Sequence, residues 1–152
     1  MNRGMSRIAP VVAIFAAIAA LTGCDSSIYQ SPGGIRLDGD HVEIALCETV
    51  VGAEIRVFGD ASRGVKAEDY IWATGDIVIR PEEHFTSAVP RADWDVTIWT
   101  EPKVNPGARV ALFVYDTEGS VVFPIEFSIP DSGLSETLWT RANGSQVETP
   151  CD

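Results

Sequence analysis

The chain has 152 residues, 22 Asp and Glu against 11 Lys and Arg, and a formal net charge of −11. That balance excludes a nucleic-acid binder, which would neutralise phosphates with Lys and Arg. Three cysteines and two histidines, far apart in sequence, offer no zinc-ligand spacing.

The first seven residues carry Arg3 and Arg7 and no acid, and the fourteen residues from Ile8 to Leu21 are almost wholly apolar. As a helix that run reaches only ~21 Å, short of a ~30 Å hydrocarbon core. A basic start, a short apolar run and small residues at its end describe a secretory signal peptide rather than a spanning helix. The run stops on Leu21-Thr22-Gly23-Cys24. This resembles the lipobox of bacterial lipoproteins: Leu, a small residue, Gly or Ala, then Cys. The resemblance implies transfer of diacylglyceryl to the Cys24 thiol and cleavage before Cys24. In some bacteria the new amine is then acylated, with palmitate among the acyl groups. Two or more acyl chains hold a protein stably on a membrane. Residues 1–23 are therefore expected to be a signal peptide, with the mature chain lipid-anchored on the extracytoplasmic face of the cell membrane.

Residues 24–34, rich in Ser, Gly and polar side chains, read as a flexible tether, and residues 35–152 as one domain. From Cys24 onward there are 129 residues with 9 basic and 22 acidic side chains, a net of −13. Such a surface repels anionic headgroups, which leaves the acyl tether to hold the membrane. The acid excess serves solubility, or it suits a basic partner or cations. Cys47 and Cys151 remain as an even pair in an exported chain. A disulfide closing a loop of 104 residues is expected there, with two free thiols as the alternative.

Within the domain the apolar period is two. In His41–Cys47, Val42, Ile44 and Leu46 share one face; His41, Glu43, Ala45 and Cys47 share the other. If the first set faces the core, Cys47 points outward, where the C-terminal segment could cross and be pinned. The stretch from Ala53 to Gly59 alternates, and YIWATG and DIVIRP follow with a bulge or bend at Gly75-Asp76. Asp93–Pro102 sets Trp94, Val96 and Ile98 against Asp95, Thr97 and Trp99. The segment 108–116 is apolar on both faces, as in a central strand. Asp116-Thr117-Glu118-Gly119 signals a hairpin turn. The partner strand puts Val121, Phe123, Ile125, Phe127 and Ile129 on one face, and Pro124 places it at an edge or a bulge. A weak strand, ETLWTR, comes next. Arg63–Tyr70 offers at most one helical turn. About seven to eight short strands with regular turn signals predict an all-β, antiparallel β-sandwich of immunoglobulin-like architecture.

Chemistry is sparse. His41 and His84 stand beside acids in sequence, and neither lies near a nucleophile elbow. Asp38-Gly39-Asp40 lacks the further oxygens of a calcium loop and reads as a turn. Asp93 and Asp95 would lie ~7 Å apart on one strand face, a spacing that carboxylate-pair catalysis can use and that solvated strands also show. No catalytic residue, metal site or cofactor is expected, and an enzyme ranks last. Four tryptophans are many for this length. Trp99, beside Asp95 and Thr97, is the candidate binding surface, able to stack on a sugar or anchor a protein. The alternative is that a loop or the tail covers that face.

The layout of lipobox, tether and one acidic β domain with a cysteine pair resembles small lipoproteins of actinobacteria. The resemblance implies no activity. The expected role is a cell-envelope lipoprotein whose domain binds a protein or glycan without catalysis. The alternative is an inhibitor or protective factor against a basic envelope-attacking enzyme. Small lysozyme inhibitors are similar in layout, although their Ser-Gly pair leading to a Tyr is not found here.

Overall fold

An alternating strand has one apolar face that must be covered, and two sheets cover each other at least expense of loops. The structure, a computed structural model, describes residues 32–59 and 68–152. The signal segment, Cys24, the tether up to residue 31 and most of Arg63–Tyr70 lie outside the described residues. The rest forms a β-sandwich of two antiparallel sheets with five strands each. Sheet A contains β1 (Gly33–Asp38), β2 (His41–Leu46), β5 (Phe85–Thr86), β9 (Trp139–Arg141) and β10 (Gln146–Val147), ordered β10-β9-β1-β2-β5. Sheet B contains β3 (Val50–Gly59), β4 (Asp69–Ile79), β6 (Asp95–Trp99), β7 (Arg109–Tyr115) and β8 (Val121–Ser128), ordered β6-β4-β3-β7-β8.

The core lies between the sheets. Ile35, Ile44, Leu46 and Phe85 from sheet A meet Ile55, Ile71, Leu112, Phe123 and Phe127 from sheet B, all buried. Most of the alternation read from sequence lands as expected. Val42, Ile44 and Leu46 are buried, as are Phe123, Ile125, Phe127 and Ile129. Pro124 sits on β8, an edge strand. Asp116 to Gly119 forms the β7–β8 turn: the Asp116 carboxylate accepts the N–H groups of Glu118 and Ser120, both at 2.9 Å, and Gly119 takes φ 81°. Asp38-Gly39-Asp40 makes the β1–β2 turn, with Gly39 at φ 62°.

The two segments around Gly75-Asp76 are one strand, β4, broken by a bulge: Gly52 pairs with Ile77 but Glu54 pairs with Thr74. Three short elements, β1, β5 and β10, carry too little alternation to be read as strands in advance. β1 also begins at Gly33, inside the stretch read as tether. Its two glycines have packing roles. A Cβ on Gly33 would come within 2.9 Å of Ile125 Cδ1, toward the core. On the opposite face, a Cβ on Gly34 would come within 2.9 Å of Pro150 Cβ and 3.2 Å of Trp139 Cβ.

That close approach lets the C-terminal segment lie on the outer face of sheet A, where Cys47 and Cys151 are disulfide-bonded with Cα atoms 5.3 Å apart. The bond spans 104 residues, a length for which loop closure in the unfolded chain is worth up to ~4.7 kcal/mol. Cys151→Ser should lower the unfolding free energy by about 2–4 kcal/mol in a urea titration. A change under about 0.5 kcal/mol would show that packing alone holds the segment in place.

Candidate interaction face

The outer faces of the two sheets are built alike and finished differently. On sheet A, Arg36 of β1 and Glu43 of β2 are register partners, and Arg36 Nε donates to the Glu43 carboxylate at 2.6 Å. The Arg36 guanidinium lies 4.3 Å from the Trp139 ring centroid. His84 Nδ1 donates to the other Glu43 oxygen at 2.6 Å and sets its ring edge-on to Trp139, 5.1 Å between centroids. With the C-terminal segment over Gly34 alongside, Trp139 is left only 3% exposed. Burial pushes the Glu43 carboxyl upward, but the hydrogen bonds and charges of Arg36 and His84 outweigh it and hold the group below its usual range.

On sheet B the same pieces recur with no cover among the described residues. Arg56 Nε donates to Glu54 at 2.5 Å, and its guanidinium lies 4.2 Å from the Trp72 ring centroid. The register sets Ile98, Trp72, Arg56, Phe113 and Pro124 side by side across all five strands. Four strand spacings make this row about 19 Å wide. Every member is half-buried, and among the described residues no further layer packs over the row. Phe113 is flanked by Phe58 at 5.2 Å and by Tyr115 at 6.4 Å, both stacked, and these rings form a ridge along the sheet. Val121 and Val122, 46% and 47% exposed, extend the apolar band at the β8 edge. The Trp72 indole nitrogen is buried with no acceptor among the described residues. Burial pushes the Tyr115 phenol above its usual range; Arg56 opposes this, while Glu54 and Asp69 add to it.

Apolar residues on both faces of 108–116 suggest a central strand. β7 is indeed an interior strand, but its second apolar face, with Phe113 and Tyr115, belongs to this open surface.

The trio Trp99, Asp95 and Thr97 does not share a face, which corrects the strand reading. Between Trp72 and Ala73 of β4 the register with β6 slips: Trp72 pairs with Ile98, Ala73 with Val96, and Thr97 is left as the bulge residue. One inserted residue exchanges the faces of all that follow. Trp99 therefore turns inward against the core, its ring 5.5 Å from Phe85 and 6.3 Å from Trp94. Its N–H donates to the Ser87 carbonyl at 2.9 Å. Ile98, expected inside, takes the outward place beside Trp72. Asp95 stays exposed, next to Thr74 at the margin of the open face.

The other candidates are resolved locally. His41 contacts Glu101 at 3.0 Å rather than its sequence neighbours. Glu101 also accepts the Ser87 hydroxyl at 2.5 Å and the Val42 N–H at 2.8 Å. The order is thus Ser–Glu–His, with no imidazole on the serine oxygen to take its proton. Asp93 precedes β6 and lies 3.4 Å from Arg91 Nε. A cavity of about 340 Å³ beside the disulfide is lined in part by Arg141, Asn143 and Asp152. Comparison with protein-family models, curated proteins and solved structures finds no match to this chain.

Two outcomes follow. Glu43, lowered when folded, adds stability above the ordinary Glu range that is lost as pH falls through its depressed pKa. Glu43→Gln should cost about 1–3 kcal/mol at neutral pH and flatten that acid-side loss, as read by urea unfolding across the acid range. Phe113→Ala on the open face should cost about 1–2 kcal/mol, against about 3–5 kcal/mol for Phe127→Ala in the core. Equal losses would mean that the outer ridge is as essential to folding as the core.

Proposed function

We propose that this chain is a lipoprotein anchored through Cys24 to the extracytoplasmic face of a cell membrane. Its β-sandwich is a non-catalytic binding domain that takes a macromolecular partner on the outer face of sheet B. The observation that carries the reading is the contrast between the two outer faces. One Trp–Arg–Glu cluster is enclosed by His84 and the disulfide-pinned C-terminal segment; the other is left open in a row of apolar and aromatic side chains. On the outer face of a sandwich sheet, alternation ordinarily places polar residues. Aromatic side chains and Arg, by contrast, are the types enriched where proteins meet partners.

The anchor is supported by the LTGC sequence at the end of a short apolar run, and export by the disulfide, a bond of oxidising compartments. The acid excess of the chain favours one specific form of this role, the blocking of a basic envelope-attacking enzyme.

Intact mass on protein taken from its native membrane tests the reading. The expected species starts at a diacylated Cys24 and gains the mass of two hydrogens on reduction. A species that starts at Met1 without lipid would remove the anchor and the envelope from the proposal.

A further inference from the structure

The class of partner can be argued from how the rings of sheet B stand, given the reading of that face as the binding face. A sugar stacks on a ring face laid open to solvent. Here Phe58 and Phe113 are 5° from parallel with centroids 5.2 Å apart, too close to lie side by side, so each occupies a face of the other. Tyr115 also stacks against Phe113, with centroids 6.4 Å apart and the rings 28° from parallel. Trp72 has the Arg56 guanidinium over its ring. The ridge presents ring edges and aliphatic groups, a relief that side chains can interdigitate with.

The charges around the ridge select further. Arg56, the cation of the central row, is matched by Glu54, and Arg109 near the β8 edge is matched by Glu126 at 3.5 Å. Asp69, Asp95 and Glu118 border the face, and none has an ion-pair partner among the described residues. Among the described residues the rim is therefore acidic around an apolar centre. A second copy of this chain would bring acid onto acid, and nucleic acid or anionic headgroups would meet the same repulsion.

We propose that the outer face of sheet B docks a protein with an apolar centre and a basic rim. The ridge supplies the desolvated contact, while the acidic rim steers and orients the approach.

Site-specific photocrosslinking in the native membrane, with full-length chain, tests this. A benzoylphenylalanine in place of the exposed Val122 reports on the face, and one in place of Glu148, remote on the sheet A side, is the control. The expected result is one protein adduct at Val122, absent at the control, whose partner is basic. Raising salt from about 0.05 to about 0.5 M should diminish it. Asp69→Asn combined with Asp95→Asn should lower its yield roughly three- to tenfold, with circular dichroism verifying that the double variant folds. An adduct indifferent to salt and to both substitutions overturns the charge selection. An adduct of twice the chain mass, or one that resists protease and yields to glycan hydrolases, overturns the partner class while the face remains a binding face. Absence of any adduct at Val122 overturns the binding face itself.

Discussion

A β-strand assigns its side chains to two faces by parity, so a single inserted residue exchanges the faces for everything beyond it. The surface of this protein depends on where those insertions fall. The bulge at Thr97 turns Trp99 into the core and Ile98 out beside Trp72. The bulge opposite Ala53 exchanges the faces of β3, so that Val50 before it and Ile55 and Val57 after it are all buried, while β4 keeps Ile71, Ala73, Ile77 and Ile79 inward by plain alternation. The slip between Val114 and Tyr115 frees both Val121 and Val122 to the outside. Each irregularity gives up one ladder position. Together they gather aromatic and aliphatic groups on one outer face while the inner face stays apolar.

The second determinant is a matter of close approach. Gly34 is the place where sheet A can accept another layer, because any Cβ there would collide with Pro150 and Trp139. The disulfide then secures that layer over the outer surface of the sheet. Sheet B has no counterpart among the described residues. Two Trp–Arg–Glu clusters thus end in different states, one nearly sealed and one half-exposed. Such a difference is what separates a stabilising cluster from a surface available to a partner.

Electrostatics reinforces the asymmetry. The half-buried carboxylate of Glu43 is matched by hydrogen-bonding cations, because an unmatched charge away from water is costly. At the margins of sheet B, acids remain in solvent, where they cost little and act over the Debye length. An apolar centre with a like-charged rim resists self-association and still attracts a complementary surface.

Alternation in 41–47, 108–116 and 121–129 was enough to identify strands, because period two is a local property that each segment carries by itself. The turn at Asp116–Gly119 and the outward aim of Cys47 followed from the same local rules. The sequence by itself therefore determined an all-β chain, its main strands and the core faces of most of them. What it did not contain was the register between strands that are distant along the chain. Trp99 was placed on the wrong face because the extra residue at Thr97 exists only relative to β4. Gly33 and Gly34 read as tether because flexible glycine and close-packed glycine look alike until the neighbouring layer is present. Glu101 and Glu43 were not foreseen as partners of His41 and His84, since those pairs form across strands. Only the tertiary structure decided which aromatic residues face outward and which stay uncovered, because that depends on pairing and layering between residues far apart in the chain.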